Sequence, residues 1–381
     1  MNAKTESNVK RGGLWKHRRS VLVGCLAVGM FCLGSADGGR AEPVGQGAKA
    51  QTDPGLPVYA PVEAVSGAIT IAGSDSMRPI LTKLAAEFRR WHPEARIAIQ
   101  GEGSDLLQRF LSGISFARRG DGDTDGHEGS QMVRLLAVSR EFSKDEVAAF
   151  VERFGYKPTG IPIAQDAVAI YVHGDNPIKG LTLEQVDAIF SATRNRGRSE
   201  NIEQWGRLDL NGEWERAPVR LYGRNKRSTG TRPFFIEHVL QGGTFRQELQ
   251  EEPGSASVVV SISRDRFGIG YSSIGFQTVA VRAVPLAQKE GMPFVEPTQE
   301  SVARGNYPMS RRLYLYVNRG PNEKPLPVLL EFLKFVNTQR GQAVVIAAGS
   351  YPISAAQAAR NLQTLLGTPP GVPLTAVRET R

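Results

Sequence analysis

Short apolar runs alternate along this chain with apolar residues at helical spacing. Residues 68–71 are an apolar run of strand length, and Met77, Ile80, Leu81, Leu84, Ala85, Phe88 and Trp91 then recur on one helical face until Pro93 stops it. Residues 96–100 make a second strand, followed by a short helix from about Asp105 to Leu111. A strand, a crossover helix and another strand form a parallel βαβ unit, which sets the fold class as α/β. The alternation continues with a buried strand at 133–138, a helix at 144–154 and an apolar strand at 167–172. Thr182 is placed to cap a helix over 183–190. Further strands fall at 219–222, 268–272 and 312–317, and further helices at 231–240, 326–336 and 342–348. Residues 191–218 are polar and Trp-containing and predict irregular structure.

Three of the strand-to-helix corners carry the same chemistry. Arg224-Asn-Lys-Arg-Ser-Thr-Gly-Thr231 follows a run ending in Leu221-Tyr222 and precedes a helix; Ala72-Gly-Ser-Asp-Ser-Met77 and Gly101-Glu-Gly-Ser104 stand at two earlier strand ends. Hydroxyls, free backbone N–H groups at helix starts and a guanidinium aimed at one point suit a tetrahedral oxyanion. Ser, Thr and Gly at any single corner are ordinarily caps and turns, and Arg224 alone reads as a surface ion pair. Recurrence at three corners points to a shared anion site.

The chain has 381 residues, 40% hydrophobic and 22% charged, enough for ordinary globular cores and two domains or one large one. Its formal net charge of +9 includes an excess of five positive charges in residues 1–41, so the remainder carries about +4. That mild bias favours anionic ligands in general. No lysine-rich run or stacking aromatic series accompanies it, which argues against nucleic acid. The basic stretch Lys16-His-Arg-Arg19, the apolar residues 21–33 and the small residues before Ala36 or Ala41 read as a cleaved export signal, too short for a membrane span. Both cysteines, Cys25 and Cys32, fall inside it, leaving a mature chain without thiol chemistry. Residues 42–66, rich in Gly, Pro and small polar types, read as a flexible lead-in.

A charged, glycine-rich insertion spans 116–130. Its Asp121, Asp123, Asp125 and Gly126 match the start of a calcium loop, but Met132 stands where the bidentate acid belongs, so a solvated loop is the plainer reading. His92, His127, His173 and His238 lack metal-ligand spacing, and no nucleophile is paired in sequence with a general base. The expectation is a protein that is not an enzyme and needs no cofactor or metal.

Several segments in order along 69–353 resemble the phosphate-binding component of Pst-type ABC transporters, a periplasmic solute-binding family. They are Ala72-Gly-Ser-Asp-Ser-Met77, Gly101-Glu-Gly-Ser104, Val138-Ser-Arg140, Gly155-Tyr-Lys-Pro-Thr159, Asp166-Ala-Val-Ala-Ile-Tyr-Val-His-Gly-Asp-Asn-Pro177, Leu183-Glu-Gln-Val-Asp-Ala-Ile-Phe190, Gly223-Arg-Asn225 with 228–231, and Tyr307-Pro-Met-Ser-Arg311. The resemblance implies a two-lobed periplasmic solute-binding fold of type II, with mixed sheets flanked by helices and a ligand cleft between the lobes. Lobe 1 would comprise 67–168 and 309–360, lobe 2 169–308, and 361–381 a C-terminal tail. Carried over residue by residue, phosphate would meet Ser76, the Met77 amide, Ser104, Ser139 and Arg140 from one lobe, and Arg224, Ser228, Gly230 and Thr231 from the other. Asp75, Asp105 and Asp166 are candidate acceptors for the ligand's proton, the feature that separates phosphate from sulfate. Two departures stand out: Arg134-Leu-Leu136 replaces the Asp-Ile-Gly or Asp-Ile-Ala usual before Ser-Arg, and the family's Ser-Gly-Thr is stretched to Ser228-Thr-Gly-Thr231. The partners implied are inorganic phosphate and an inner-membrane permease, with the protein a periplasmic monomer. Alternatives are a receptor for sulfate or molybdate, an envelope phosphate-sensing or adhesion module, and a secreted phosphatase.

Overall fold

The structure, a computed structural model, describes residues 50–101, 104–113 and 134–367. The segment expected to be an export signal and the calcium candidates Asp121, Asp123 and Asp125 lie outside the described residues. Chain contacts divide at Gln46/Gly47, and everything that follows concerns the second unit. In chain order its elements are β1 (Gly67–Gly73), α1 (Arg78–Trp91), β2 (Ala95–Gln100), α2 (Ser104–Ser112), β3 (Leu135–Val138), α3 (Lys144–Phe154), β4 (Thr159–His173), β5 (Leu181–Thr182) and α4 (Leu183–Phe190). They continue with β6 (Arg220–Arg224), α5 (Thr231–His238), β7 (Gln250–Glu252), α6 (Ser255–Arg264), β8 (Gly268–Ser273), β9 (Val281–Ala283) and β10 (Leu286–Ala287). The last are α7 (Gln299–Ala303), β11 (Ser310–Val317), α8 (Pro327–Val336), α9 (Gln339–Ala347) and α10 (Ala355–Leu366).

Nine strands form one sheet in the order β2-β1-β3-β11-β4-β8-β6-β7, with β9 also on β4. β4 joins its halves. Residues 159–167 pair antiparallel with β11, and residues 168–172 pair antiparallel with β8. On either side of that junction the strands are parallel: β1 lies between β2 and β3, and β6 between β7 and β8. Each half has its own core. One gathers Phe88, Leu315, Phe332 and Phe335, the other Phe190, Trp205, Phe235 and Tyr271.

β4 begins eight residues earlier than the apolar run at 167–172 suggests, because Gln165-Asp166 looks like a break in the sequence. Asp166 stays within the strand because Arg311, its cross-strand neighbour on β11, neutralises it. α6 is absent from the sequence expectation for a different reason. Its Val258, Val259 and Val260 and its four serines have poor helix propensity, yet Val258, Val259 and Ile262 are buried against Tyr171 and Tyr222, and that packing overrides propensity. α10 corrects the placing of a tail at 361, since Asn361 is buried and donates to the Pro162 carbonyl at 2.7 Å. The described part of the lead-in is likewise packed: Leu56 is buried against Ile353 and Ala358, and Tyr59 against Phe335. Among the described residues no helix is long and apolar enough to cross a membrane.

Thr182 caps α4 as expected. Its hydroxyl accepts from the Gln185 amide at 3.2 Å, and the Gln185 side chain accepts from the Thr182 amide at 2.8 Å. Thr182→Ala should therefore cost about 1 kcal/mol, read as a lower denaturant midpoint with an unchanged slope.

Candidate functional site

The site is built from strand ends. β1 and β3 are parallel neighbours with Gly73 opposite Ala137, so their carboxyl ends deliver Ser74, Ser76 and Ser139 to one place. Gly73 is required there: φ is +155°, and a Cβ would stand 2.2 Å from the Ala137 carbonyl oxygen. The Ser74 hydroxyl lies 3.0 Å from that of Ser76 and 3.3 Å from that of Ser139, and all three serines are buried. From the other half of the sheet, β6 ends in Arg224, and its loop leads to Gly230 and Thr231 at the start of α5. Gly230 packs directly on the serines, since a Cβ there would fall 1.8 Å from Ser139 Oγ and 3.3 Å from Ser74 Oγ. Its φ is −114°, so the glycine answers to space and not to backbone strain.

Charge crosses the gap at two points. Asp75, beside the serines, accepts from Arg224 Nη1 at 2.7 Å and from the Ser255 amide, at the start of α6, at 2.8 Å. Burial alone would raise the Asp75 pKa, but the Ser255 amide and the Arg224 guanidinium together outweigh it and hold the carboxyl below the ordinary aspartate range. Arg311, on β11, reaches the Thr231 hydroxyl with Nη1 at 3.1 Å. A small cavity of about 110 Å³ opens at this cluster, lined by Ser74, Asp75, Arg224, Asn225, Ser228 and Thr229 among others. A larger open groove of about 1130 Å³ is lined by Arg140 and Arg311, but its walls mix Lys144 and Arg312 with Glu141 and Glu237. Of the buried serines, Ser74 lines the smaller space, with Ser76 and Ser139 in contact behind it.

Of the residues singled out from sequence, the structure brings Ser76, Ser139, Arg224, Gly230 and Thr231 together, with Ser228 on the cavity wall. Met77 and Arg140 are committed elsewhere. The Met77 amide closes a turn on the Ser74 carbonyl at 3.0 Å, and its side chain is in the core. The Arg140 guanidinium forks onto Glu146 at 2.7 and 2.6 Å and sends Nε to the Thr229 carbonyl at 3.0 Å. Glu146 caps α3 in a Ser143-x-x-Glu146 box, a pattern visible in the sequence that signals a carboxylate within reach of Arg140. Ser104 opens α2, but its side chain and that of Asp105 lie outside the described residues. Asp166 does not line the cavity, and both its oxygens are taken, by Ser273 and Arg311. Sequence reasoning missed three participants: Ser74, the Ser255 amide and Arg311.

Strands from two halves of one sheet, ending face to face on buried hydroxyls and guanidinium groups, make this a two-lobed ligand-binding protein. Residues 58–340 match the family model described as a PBP superfamily domain. The chain is 44% identical over 318 residues to the phosphate-binding protein PstS of Pseudomonas aeruginosa, a match covering 84% of this chain and 93% of that one. It thus belongs to the PBP superfamily and, within it, to the family of the PstS proteins. Among solved structures it is similar to one from Clostridium perfringens described as a phosphate ABC transporter substrate-binding protein with bound phosphate. That likeness has a TM-score of 0.59 at 25% identity, over 76% of this chain and 100% of that one. A possible phosphate binding protein from Planctomyces limnophilus shares the fold, with a TM-score of 0.55 at 20% identity over 80% of this chain and 99% of that one.

Proposed function

We propose that this chain is an exported, monomeric, periplasmic receptor that captures inorganic phosphate between its lobes and delivers it to a Pst-type inner-membrane permease. The observation that carries the reading is the meeting of Ser74, Ser76, Ser139, Gly230 and Thr231 at one gap beside Arg224. A desolvated oxyanion needs many fixed donors, and uncharged ones at helix starts supply field without trapping the ligand behind a full ion pair. The phosphate-binding relatives support the choice of ligand.

In this reading the lobes divide near residues 168 and 309, the junction of β4 and the start of β11. Lobe 1 offers its serines and lobe 2 offers Arg224, Ser228, the Gly230–Thr231 amides and the Thr231 hydroxyl. Asp75 is the acid placed to accept a hydrogen bond from the ligand's proton, since its carboxylate is on the cavity wall whereas both Asp166 oxygens are taken. Closure follows from contacts complete only when the lobes meet.

Titration calorimetry of phosphate into ligand-free mature protein should give a micromolar or tighter Kd, about −8 kcal/mol or beyond. Heat with sulfate or molybdate and none with phosphate would move the assignment to another oxyanion.

A further inference from the structure

Arg311 stands where the two halves of the sheet join. It pairs across the strands with Asp166, the last residue but one of β4 before the strand leaves β11 for β8. Both side chains are buried, at 1% and 0% exposure, although a guanidinium and a carboxylate are costly to bury. Arg311 Nε donates to Asp166 Oδ2 at 2.8 Å; Nη2 lies 2.7 Å from the same oxygen, aligned for charge attraction and not for a directed bond. The Ser273 hydroxyl, on β8, donates to Asp166 Oδ1 at 2.8 Å, and the Phe234 ring lies 5.7 Å from the guanidinium. Every contact fixes the plane of the Arg311 fork. Its remaining arm, Nη1, points to Thr231 Oγ1.

A guanidinium can only donate. The Thr231 oxygen must therefore accept from Arg311, which turns the single hydroxyl hydrogen away from Arg311 and leaves it to donate to something else. Ser74, Ser76 and Ser139 differ in kind, since in each of their mutual bonds either oxygen can be the donor. The Thr231 hydroxyl has its polarity set by a charge that cannot turn.

We infer that Arg311 is a positioning residue of the anion site, anchored by Asp166 at the lobe junction, that makes the Thr231 hydroxyl an obligatory donor to an unprotonated oxygen of the bound oxyanion. The inference rests on the phosphate-binding reading above. It also explains why a buried ion pair sits at the junction: the pair holds one arm of Arg311 at a fixed distance from the opposite lobe.

The test is a double-mutant cycle read by phosphate titration of the full mature protein. Asp166→Asn with Arg311→Gln removes both charges together, so neither is left buried alone, and should weaken phosphate binding about tenfold. In a Thr231→Val background the same pair of changes should cost less than about threefold, because the group it positions is gone. Thr231→Ser with Arg311 intact should restore binding to within about threefold of wild type. Equal losses in the Thr231 and Thr231→Val backgrounds would overturn the inference, for Arg311 would then act on the anion or on the fold without Thr231. Should the charge-pair variant fail to fold, Arg311→Lys replaces it in the cycle, since an ammonium lacks the fork that serves Asp166 and Thr231 at once. Wild-type protein that binds no phosphate would sink the functional reading as well, whereas wild-type binding without coupling would sink only the role of Arg311.

Discussion

Gly230→Ala should weaken phosphate binding roughly 30- to 150-fold, about 2 to 3 kcal/mol, while leaving the melting transition almost unchanged. The added methyl would stand 1.8 Å from Ser139 Oγ and 3.3 Å from Ser74 Oγ, so the lobes cannot meet as they do here. Relief has a cost on either path. If Ser139 rotates away, the site loses a hydroxyl and its contact with Ser74; if the lobes stay apart, Thr231 and Arg224 no longer face the serines. The backbone itself admits alanine, because φ at 230 is −114°, and the N-cap of α5 loses about 0.5 to 1 kcal/mol, a small part of the fold's stability. Calorimetry measures the affinity, and small-angle scattering with saturating phosphate should show a larger radius of gyration than the wild type. An alanine variant that binds phosphate within about threefold of wild type would mean that closure does not bring position 230 onto the serines.

That contact between two lobes illustrates what the sequence carries and what it does not. The corners themselves are legible, because an apolar run ending in Gly, Ser or Thr before a helical pattern is a local signal. Gly73-Ser74, Ser139 and the 228–231 turn all fall where such runs end. Helices α3 and α4 match the expected bounds, 144–154 and 183–190, because each starts at a Ser or Thr cap with Glu or Gln three residues on. Partners distant along the chain are a different matter. Asp166 and Arg311 are 145 residues apart, Arg311 and Thr231 are 80 apart, and Asp75 and Ser255 are 180 apart. No spacing rule connects such pairs. Arg140 and Arg224 look equivalent in sequence, each next to a hydroxylated corner, yet a capping carboxylate six residues away claims one and an acid across the gap meets the other. Which arginine stands on the cavity wall is decided by the carboxylate that each finds in the folded chain.

Arg224→Ala should be the most damaging single change at the site, weakening phosphate binding about 100- to 1000-fold, or about 3 to 4 kcal/mol. Arg224 is nearly inaccessible, with a side chain 4% exposed, and its Nη1 bonds Asp75 at 2.7 Å. Removing it subtracts a positive charge and also leaves the Asp75 carboxylate with only the uncharged donors of Ser255, its amide and hydroxyl, so that an unneutralised negative charge faces an incoming anion. Part of the loss is that residual charge. Asp75→Asn in the Arg224→Ala background should therefore recover about tenfold, even though it restores no donor to the guanidinium's place. The pH dependence follows from the lowered Asp75 pKa. In the wild type the clasp between Asp75, Arg224 and Ser255 is fully present above the ordinary aspartate pKa of about 3.9 and is lost as the pH falls through the lowered value. Without Arg224 a lowering influence is gone while burial still raises the pKa, so Asp75 takes up its proton at a higher pH. The affinity gap between wild type and Arg224→Ala should accordingly narrow on acidification, beginning above the pH at which wild-type closure weakens. Comparing the two proteins at each pH cancels the titration of phosphate itself. A gap that stays constant down to about pH 4 would show that Asp75 does not carry the residual charge, and that the loss in the variant comes from the missing guanidinium alone.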